Sequence, residues 1–206
     1  MVRTPTGWRG IRSRAAVVRF CAAGAPASDQ APAGSSSNYS GGRQATGTAL
    51  VRDDGTRLPD IGTRVHEYGG KAYAVHHGLI VFSDRTDGRV YAFDTSDVRR
   101  GVRPLTPLSK VRYGDFWIAD VRDLVYAVAE DHSGDGEPVN SLVAIPLDGS
   151  AARNNDAIIP VFGGTDFAQA PTVSPDGTKL AWISWNHPNM PWTYSQLHVA
   201  SLTFEG

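Results

Sequence analysis

From residue 49 to residue 206, short apolar runs alternate with polar turns that contain Gly, Asp or Pro. In the run 179–185 (KLAWISW), large apolar side chains fall on both faces of a predicted strand, which indicates a strand covered on both sides. The preceding segment 174–177 (SPDG) predicts a tight turn, because Pro fixes φ and Gly accepts a positive φ. No stretch after residue 48 has a sustained helical period.

The predicted strands fall into three groups that repeat the same order. They are 72–75, 79–83, 90–93 and 103–106; then 116–119, 124–129, 141–146 and 158–162; then 170–173, 180–185 and 196–201. Units of roughly 45 residues with four short strands are typical of β-propeller blades. We therefore predict an all-β fold, a partial β-propeller of about three four-stranded blades over 49–206. A β-sandwich with irregular spacing is the alternative.

Residues 1–48 have a different pattern, which predicts a disordered N-terminal segment. Residues 22–48 are rich in Ala, Gly, Ser, Pro and Thr, so they cannot bury enough apolar surface to offset their ordering entropy. Before them, Trp8, Ile11, Ala15 and Val18 lie at helical spacing among arginines. A basic and then Ser/Ala-rich start is typical of organelle transit peptides. The alternatives are a disordered tail and a segment translated from the wrong start. The predicted localisation is cytoplasmic, or a plastid or mitochondrion if this segment is a transit peptide.

The charge and cysteine content narrow the class of protein. The formal net charge of −1 argues against nucleic acid as a partner, since nucleic-acid binding usually needs a basic face. The single cysteine, Cys21, excludes an intrachain disulfide. No apolar run approaches the length of a membrane helix, so we expect no membrane partner. Because propellers usually close with four to eight blades, we expect the sequence to belong to a longer protein, with edge strands able to self-associate.

Several longer phrases resemble a known family. They are residues 63–70 (TRVHEYGG), 81–84 (VFSD), 130–140 (EDHSGDGEPVN), 174–177 (SPDG) and 185–192 (WNHPNMPW). Together they resemble the N-terminal propeller of the prolyl oligopeptidase family of serine peptidases, in its acylaminoacyl-peptidase and dipeptidyl-aminopeptidase-like branch. The resemblance covers about residues 41–204. The short SPDG turn is the weak part, since it recurs in many propellers.

The resemblance implies a function for the propeller. In that family the propeller gates or positions peptide substrate for an α/β-hydrolase domain, which carries the catalytic triad and a Gly-x-Ser-x-Gly elbow. This sequence contains no such elbow, so we assign no catalytic residue and expect no hydrolysis by this chain alone. Peptide substrate, bound together with a hydrolase domain, is the expected partner. The alternatives are a free-standing propeller interaction module, of the Tol or WD-repeat sort, and a non-functional gene fragment.

The candidate substrate-facing or domain-facing residues lie in the predicted loops, where propellers present binding groups. They are Arg64, His66, Glu67, Glu130, Asp131, His132, His187, Asn189 and Trp192. The alternative is that these residues cap strands and connect neighbouring blades.

We expect no metal and no cofactor. Residues 131–136 resemble the start of a calcium loop, but the twelfth position, which needs a bidentate Glu, is Leu142. His66 and Glu67 lack the second His of a zinc helix. His76 and His77 are adjacent on a predicted strand end, so their side chains are expected to point to opposite faces.

Overall fold

The computed structural model describes residues 16–20 and 58–203. Within these ranges the chain forms strands and four 3₁₀ turns, without an α-helix. The strands, in chain order, are β1 (Ala16–Phe20), β2 (Tyr73–His76), β3 (Leu79–Ser83), β4 (Val90–Asp94), β5 (Arg103–Pro104), β6 (Val111–Ala119), β7 (Leu124–Asp131), β8 (Val139–Pro146), β9 (Ile159–Phe162), β10 (Phe167–Val173), β11 (Lys179–Trp185) and β12 (Ser195–Ser201).

These strands build three four-stranded antiparallel sheets, which confirms the predicted all-β partial propeller. The orders are β2-β3-β4-β5, β6-β7-β8-β9 and β1-β12-β11-β10. In the first two sheets, neighbouring strands are consecutive in the sequence, as the repeated strand groups predict. The described part of the chain contains no helix with the length and hydropathy that a membrane crossing requires.

The third sheet takes its fourth strand from the N-terminal segment. Strand β1 pairs antiparallel with β12, with Ala16 opposite Val199 and Phe20 opposite Ser195. Val18 lies in this strand and not in a helix, which corrects the expectation from its helical spacing, and β1 is a strand within the predicted disordered N-terminal segment. Pairing of β1 covers the edge of β12, which would otherwise offer unpaired backbone groups. The rest of residues 1–48 lies outside the described residues.

Each sheet has an edge strand that faces its neighbour: β6 of the second sheet contacts both β2 of the first and β10 of the third. Both β6 and β10 carry a bulge, between Gly114 and Trp117 and between Gln169 and Thr172. Asp115 lies in the first bulge with φ 56°, is buried, and accepts a hydrogen bond from the backbone N–H of Ala170 in the second. The bulges therefore join the second sheet to the third through a side chain instead of a strand pair.

The core consists of two apolar clusters, one on either side of the second sheet. The first cluster lies between the first and second sheets, around Val81 and Val125, which are fully buried. The second lies between the second and third sheets, where Trp182 of β11 packs on Phe162 and His198. Successive sheets are thus held by face-to-face burial, as in stacked blades. Strand β11 has one fully buried face, and Ala181 and Ile183 on its other face are half-buried.

The turn predicted at 174–177 is present. Gly177 has φ 69°, and its backbone N–H donates to the carbonyl of Ser174 at 2.8 Å. The carboxylate of Asp176 accepts hydrogen bonds from Ser174 and Thr178, which lower the pKa of Asp176 to about 2. The Gly177 carbonyl also accepts a 2.7 Å bond from Nε of the buried Arg122, so this turn is fixed to the second sheet.

Replacing Gly177 with alanine is expected to destabilise the fold by about 1–2 kcal/mol, because an L-residue is strained at positive φ. The added Cβ would also lie 3.1 Å from Cγ2 of Val121. Urea unfolding measures the loss. The matched control is Gly134→Ala, since a Cβ there meets nothing within 4 Å, and it should stay within about 0.5 kcal/mol of wild type. Equal midpoints for the two variants would contradict this account.

Candidate functional site

The loop end of the second and third sheets brings together most of the predicted site residues. The segment before β2 forms a turn in which the backbone N–H groups of Glu67 and Gly69 donate to the carbonyls of Arg64 and Val65. His66 and Glu67 have φ values of 55° and 62°, which are unusual for residues with a side chain. The turn projects the Glu67 side chain into solvent, with 69% of it exposed.

Glu130, at the end of β7, is the centre of the polar cluster. Its side chain is 4% exposed. Oε2 accepts a 2.6 Å hydrogen bond from the backbone N–H of His66, and Oε1 lies 2.6 Å from Nε2 of His132. A buried carboxylate requires such partners, since an unpaired charge is costly to bury. Glu130 therefore fixes the turn at His66 to the end of the second sheet.

Arg112, which is not among the predicted site residues, links the two glutamates. Its Nη1 donates to Glu67 Oε1 at 2.6 Å, to Glu130 Oε1 at 3.3 Å and to the Arg64 carbonyl at 3.1 Å. The hydrogen bond from Arg112 and the positive charge of its guanidinium lower the pKa of Glu67, so the exposed carboxylate stays ionised at neutral pH. Arg112 lies on β6, whose predicted start at residue 116 left it in a loop; the sequence gives no signal that it faces two acids.

Aromatic rings adjoin the polar cluster. The His66 ring lies edge-on to Phe167 and Trp185, with centroid distances of 5.3 and 5.8 Å. The His187 ring also contacts Phe167, with a centroid distance of 4.9 Å. Burial lowers the pKa of His66, which keeps its imidazole neutral although Glu130 opposes the shift. Tyr68 also contacts the His66 ring and is 67% exposed, so the group continues to the surface.

Three predicted residues stand apart from this network. Asp131 accepts hydrogen bonds from the backbone and hydroxyl of Ser133, which makes it a turn residue. The backbone N–H of Asn189 donates to the Asn186 carbonyl within the loop after β11. Trp192 lies in the same loop, with 73% of its surface exposed. Trp185, at the end of β11, is in contrast buried and stacks on Phe167.

A cleft of about 320 Å³ lies beside the polar cluster, between the first and second sheets. Its lining includes both basic and acidic side chains: Arg64, Arg85, Lys110, Arg112, His132, Asp84 and Asp87. The mixture of charges suits a zwitterionic or polar ligand better than an apolar one.

The cluster of Glu67, Glu130 and His132 has the residue types of a metal site, and their donor atoms lie within 4.8 Å of one another. However, the Arg112 guanidinium is bonded to both carboxylates. A cation in the same place would be repelled by this group, so the arrangement favours an ion-pair network.

The expectation that His76 and His77 point to opposite faces is wrong. Their ring centroids are 4.0 Å apart, and both rings contact Asp120. His77 has φ 45° and Gly78 has φ 83°, so His77 already belongs to the turn after β2 and no longer follows the alternation of the strand.

One serine–histidine pair occurs among the described residues' hydrogen bonds, between Ser184 Oγ and His198 Nε2 at 2.8 Å. The two residues are 1% and 5% exposed and lie on neighbouring strands, where the His198 ring stacks on Trp182 of the second core cluster. Burial lowers the pKa of His198. A substrate carbonyl cannot reach this hydroxyl, so the pair is a hydrogen bond of the core.

Comparison with known proteins relates this chain to solved peptidase structures. No family model and no curated protein matches the sequence. A puromycin hydrolase shares 36% identity over 76% of this chain, with a TM-score of 0.64. A Mycobacterium tuberculosis puromycin-hydrolyzing peptidase shares 38% identity over 70% of this chain, with a TM-score of 0.62. The matched regions are 26% and 24% of those proteins, so this chain spans about a quarter of their length.

Proposed function

This chain belongs to the prolyl oligopeptidase family, as a part of its β-propeller, and we propose that it positions a peptide or aminoacyl substrate for an α/β-hydrolase domain. Both solved relatives are described as acting on puromycin, a compound in which an amino acid is joined through an amide. The proposed ligand class is therefore an aminoacyl amide or short peptide with a free amino group.

The observation that carries this proposal is the convergence of Glu67, Tyr68 and the Arg112 guanidinium at one end of the sheets. The Glu67 carboxylate is ionised, exposed and held in place by Arg112. An ionised carboxylate accepts charge-assisted hydrogen bonds from an ammonium group. The exposed ring of Tyr68 beside it offers an apolar contact for the neighbouring side chain.

In this proposal the propeller binds and orients, while bond cleavage belongs to the hydrolase domain. The hydroxyl of Ser184 is buried against His198 and serves the core. Holding a substrate by its amino group fixes the position of the amide bond relative to the catalytic groups of the hydrolase domain, which lowers the entropic part of the barrier.

Puromycin binding to the 206-residue chain tests the proposal, with tryptophan fluorescence as the readout of affinity. We expect saturable binding, weakened about fivefold in Glu67→Gln, as expected for loss of one exposed charge pair. The matched control is Asp156→Asn, which removes the same charge from an exposed residue between β8 and β9 and should bind like wild type. In the same samples we expect no release of the amino acid above the protein-free rate.

Two results would contradict the proposal. Puromycin hydrolysis that remains constant through further purification of the chain would assign cleavage of the amide bond to this chain. Absence of puromycin binding, or equal weakening by both substitutions, would remove the positioning role and favour a free-standing interaction module.

A further inference from the structure

A second polar group lies at the opposite end of the sheets, where the first strands finish. Strand β2 ends at His76, and β6 ends at Ala119, directly before Asp120. The proposed substrate site, in contrast, lies where β6 begins and β7 ends. The two groups are therefore independent of each other.

The turn after β2 determines the position of the two histidines. His76 pairs with Leu79, so His77 and Gly78 form a two-residue hairpin turn, and both have positive φ. This combination is that of a type I′ turn. It rotates His77 out of the strand alternation, and the two rings lie side by side with centroids 4.0 Å apart.

Asp120 supplies a carboxylate from the neighbouring sheet. Nε2 of His76 and Nδ1 of His77 each lie 3.1 Å from Asp120 Oδ2. The other oxygen, Oδ1, accepts a 2.9 Å hydrogen bond from the backbone N–H of Val121. That bond orients the carboxylate so that Oδ2 faces both rings, as outer-shell bonds orient metal-ligating carboxylates.

We propose that His76, His77 and Asp120 bind a divalent transition-metal ion of the Zn²⁺ class and thereby link the first sheet to the second. Two imidazole nitrogens and one carboxylate oxygen are the ligand types of Zn²⁺, whereas Mg²⁺ and Ca²⁺ prefer oxygen alone. Three protein ligands leave a fourth position for water or another small ligand.

The distances fit this assignment. A tetrahedral ion with bonds of about 2.0–2.1 Å separates its ligand atoms by about 3.3–3.4 Å. Both nitrogens lie 3.1 Å from the carboxylate oxygen, so a small outward movement accommodates the ion. The His77 side chain is 80% exposed and that of Asp120 is 44% exposed, so the ion reaches them from solvent and side-chain movement is unhindered.

The chain contains a matched comparison. His187 Nδ1 lies 3.1 Å from Asp166 Oδ2, at side-chain exposures of 69% and 49%. This pair has the same distance and similar exposure but one histidine instead of two. Two protein ligands bind a transition metal far more weakly than three, which makes His187→Ala the control for loss of an exposed histidine beside an aspartate.

Titration of the metal-free 206-residue chain with ZnCl₂, by calorimetry and native mass spectrometry, tests the proposal. We expect one ion per chain, with affinity reduced at least about tenfold in His76→Ala, His77→Ala and Asp120→Asn. His187→Ala should bind like wild type. Thermal unfolding gives a second readout: Zn²⁺ should raise the Tm of wild type and His187→Ala but not that of His77→Ala.

The proposal is overturned if the wild-type chain binds no Zn²⁺, or if His77→Ala and His187→Ala bind it equally well. Binding at this site without a rise in Tm would overturn the link between the two sheets. Circular dichroism of each variant verifies that a lost affinity does not reflect a lost fold.

Discussion

Trp182→Ala is expected to reduce the free energy of unfolding by about 3–5 kcal/mol, the range for truncating a buried tryptophan. Trp182 is 2% exposed and belongs to the cluster between the second and third sheets. Its ring stacks on His198 of β12 at 5.1 Å and meets Phe162 of β9 at 5.0 Å. Truncation therefore removes apolar burial from both sheets and leaves a cavity at their interface.

Equilibrium urea unfolding of three variants separates the contribution of the buried Trp182 ring from the effect of losing a tryptophan and from that of its indole N–H. Trp192→Ala removes the same side chain at 73% exposure and should cost less than about 0.5 kcal/mol. Trp182→Phe keeps a ring in the core and removes the indole N–H, which is buried without a partner, so it should cost less than Trp182→Ala. Similar losses for Trp182→Ala and Trp192→Ala would show that the two sheets are not held by this cluster.

The strands of the sheets could be predicted because strands that pair within one blade are consecutive in the chain, so the hydrophobic pattern of each blade lies within one short stretch of sequence. Strand β3 and strand β11 begin at or within one residue of the predicted Leu79 and Leu180, since consecutive strands pair with each other. Strand β1 could not be predicted in the same way. It pairs with a strand far away in the sequence, and its pattern of Ala and Val suits a helix as well as a strand.

The polar residues of the site were predicted by type and loop position, but not by their partners. Glu67 and Glu130 look alike in the sequence, yet one is exposed and the other is buried. Arg112 lies beside both acids because it is the register partner of Glu130 across β6 and β7, ahead of the bulge between Gly114 and Trp117. The predicted strand begins only at residue 116, so the pairing of Arg112 with Glu130 could not be predicted from the sequence pattern.

The two histidines at the end of β2 illustrate the same limit on a shorter scale. Alternation predicts opposite faces, whereas the positive φ of His77 places both rings beside Asp120. The gap between the predicted strands 72–75 and 79–83 indicates a break at His77 and Gly78. What it could not indicate was which neighbouring strand end would face the turn, because that depends on how the sheets stack.

Replacing Glu130 with leucine is expected to cost about 3–5 kcal/mol, as for removal of one partner from a buried ion pair. The substitution leaves the His66 N–H, Arg112 and His132 without the oxygens that they now contact. Glu130→Gln keeps the volume of the side chain but replaces one acceptor oxygen by an NH₂ donor. That donor would face either the His66 N–H or the donors of Arg112 and His132. We expect a loss of about 1–3 kcal/mol for it.

Glu67→Gln is the matched control, because Glu67 shares the Arg112 guanidinium but is exposed. Solvent screens that pair, so the unfolding midpoint in urea should stay close to wild type. A double-mutant cycle of Glu130→Gln with Arg112→Gln then isolates the coupling between the buried carboxylate and the guanidinium. If Glu67→Gln destabilised the chain as much as Glu130→Gln, burial could not be the reason for the difference, and the exposed carboxylate would be structural. If only Glu130 matters for stability, Glu67 is free to serve a ligand, as the proposed substrate site requires.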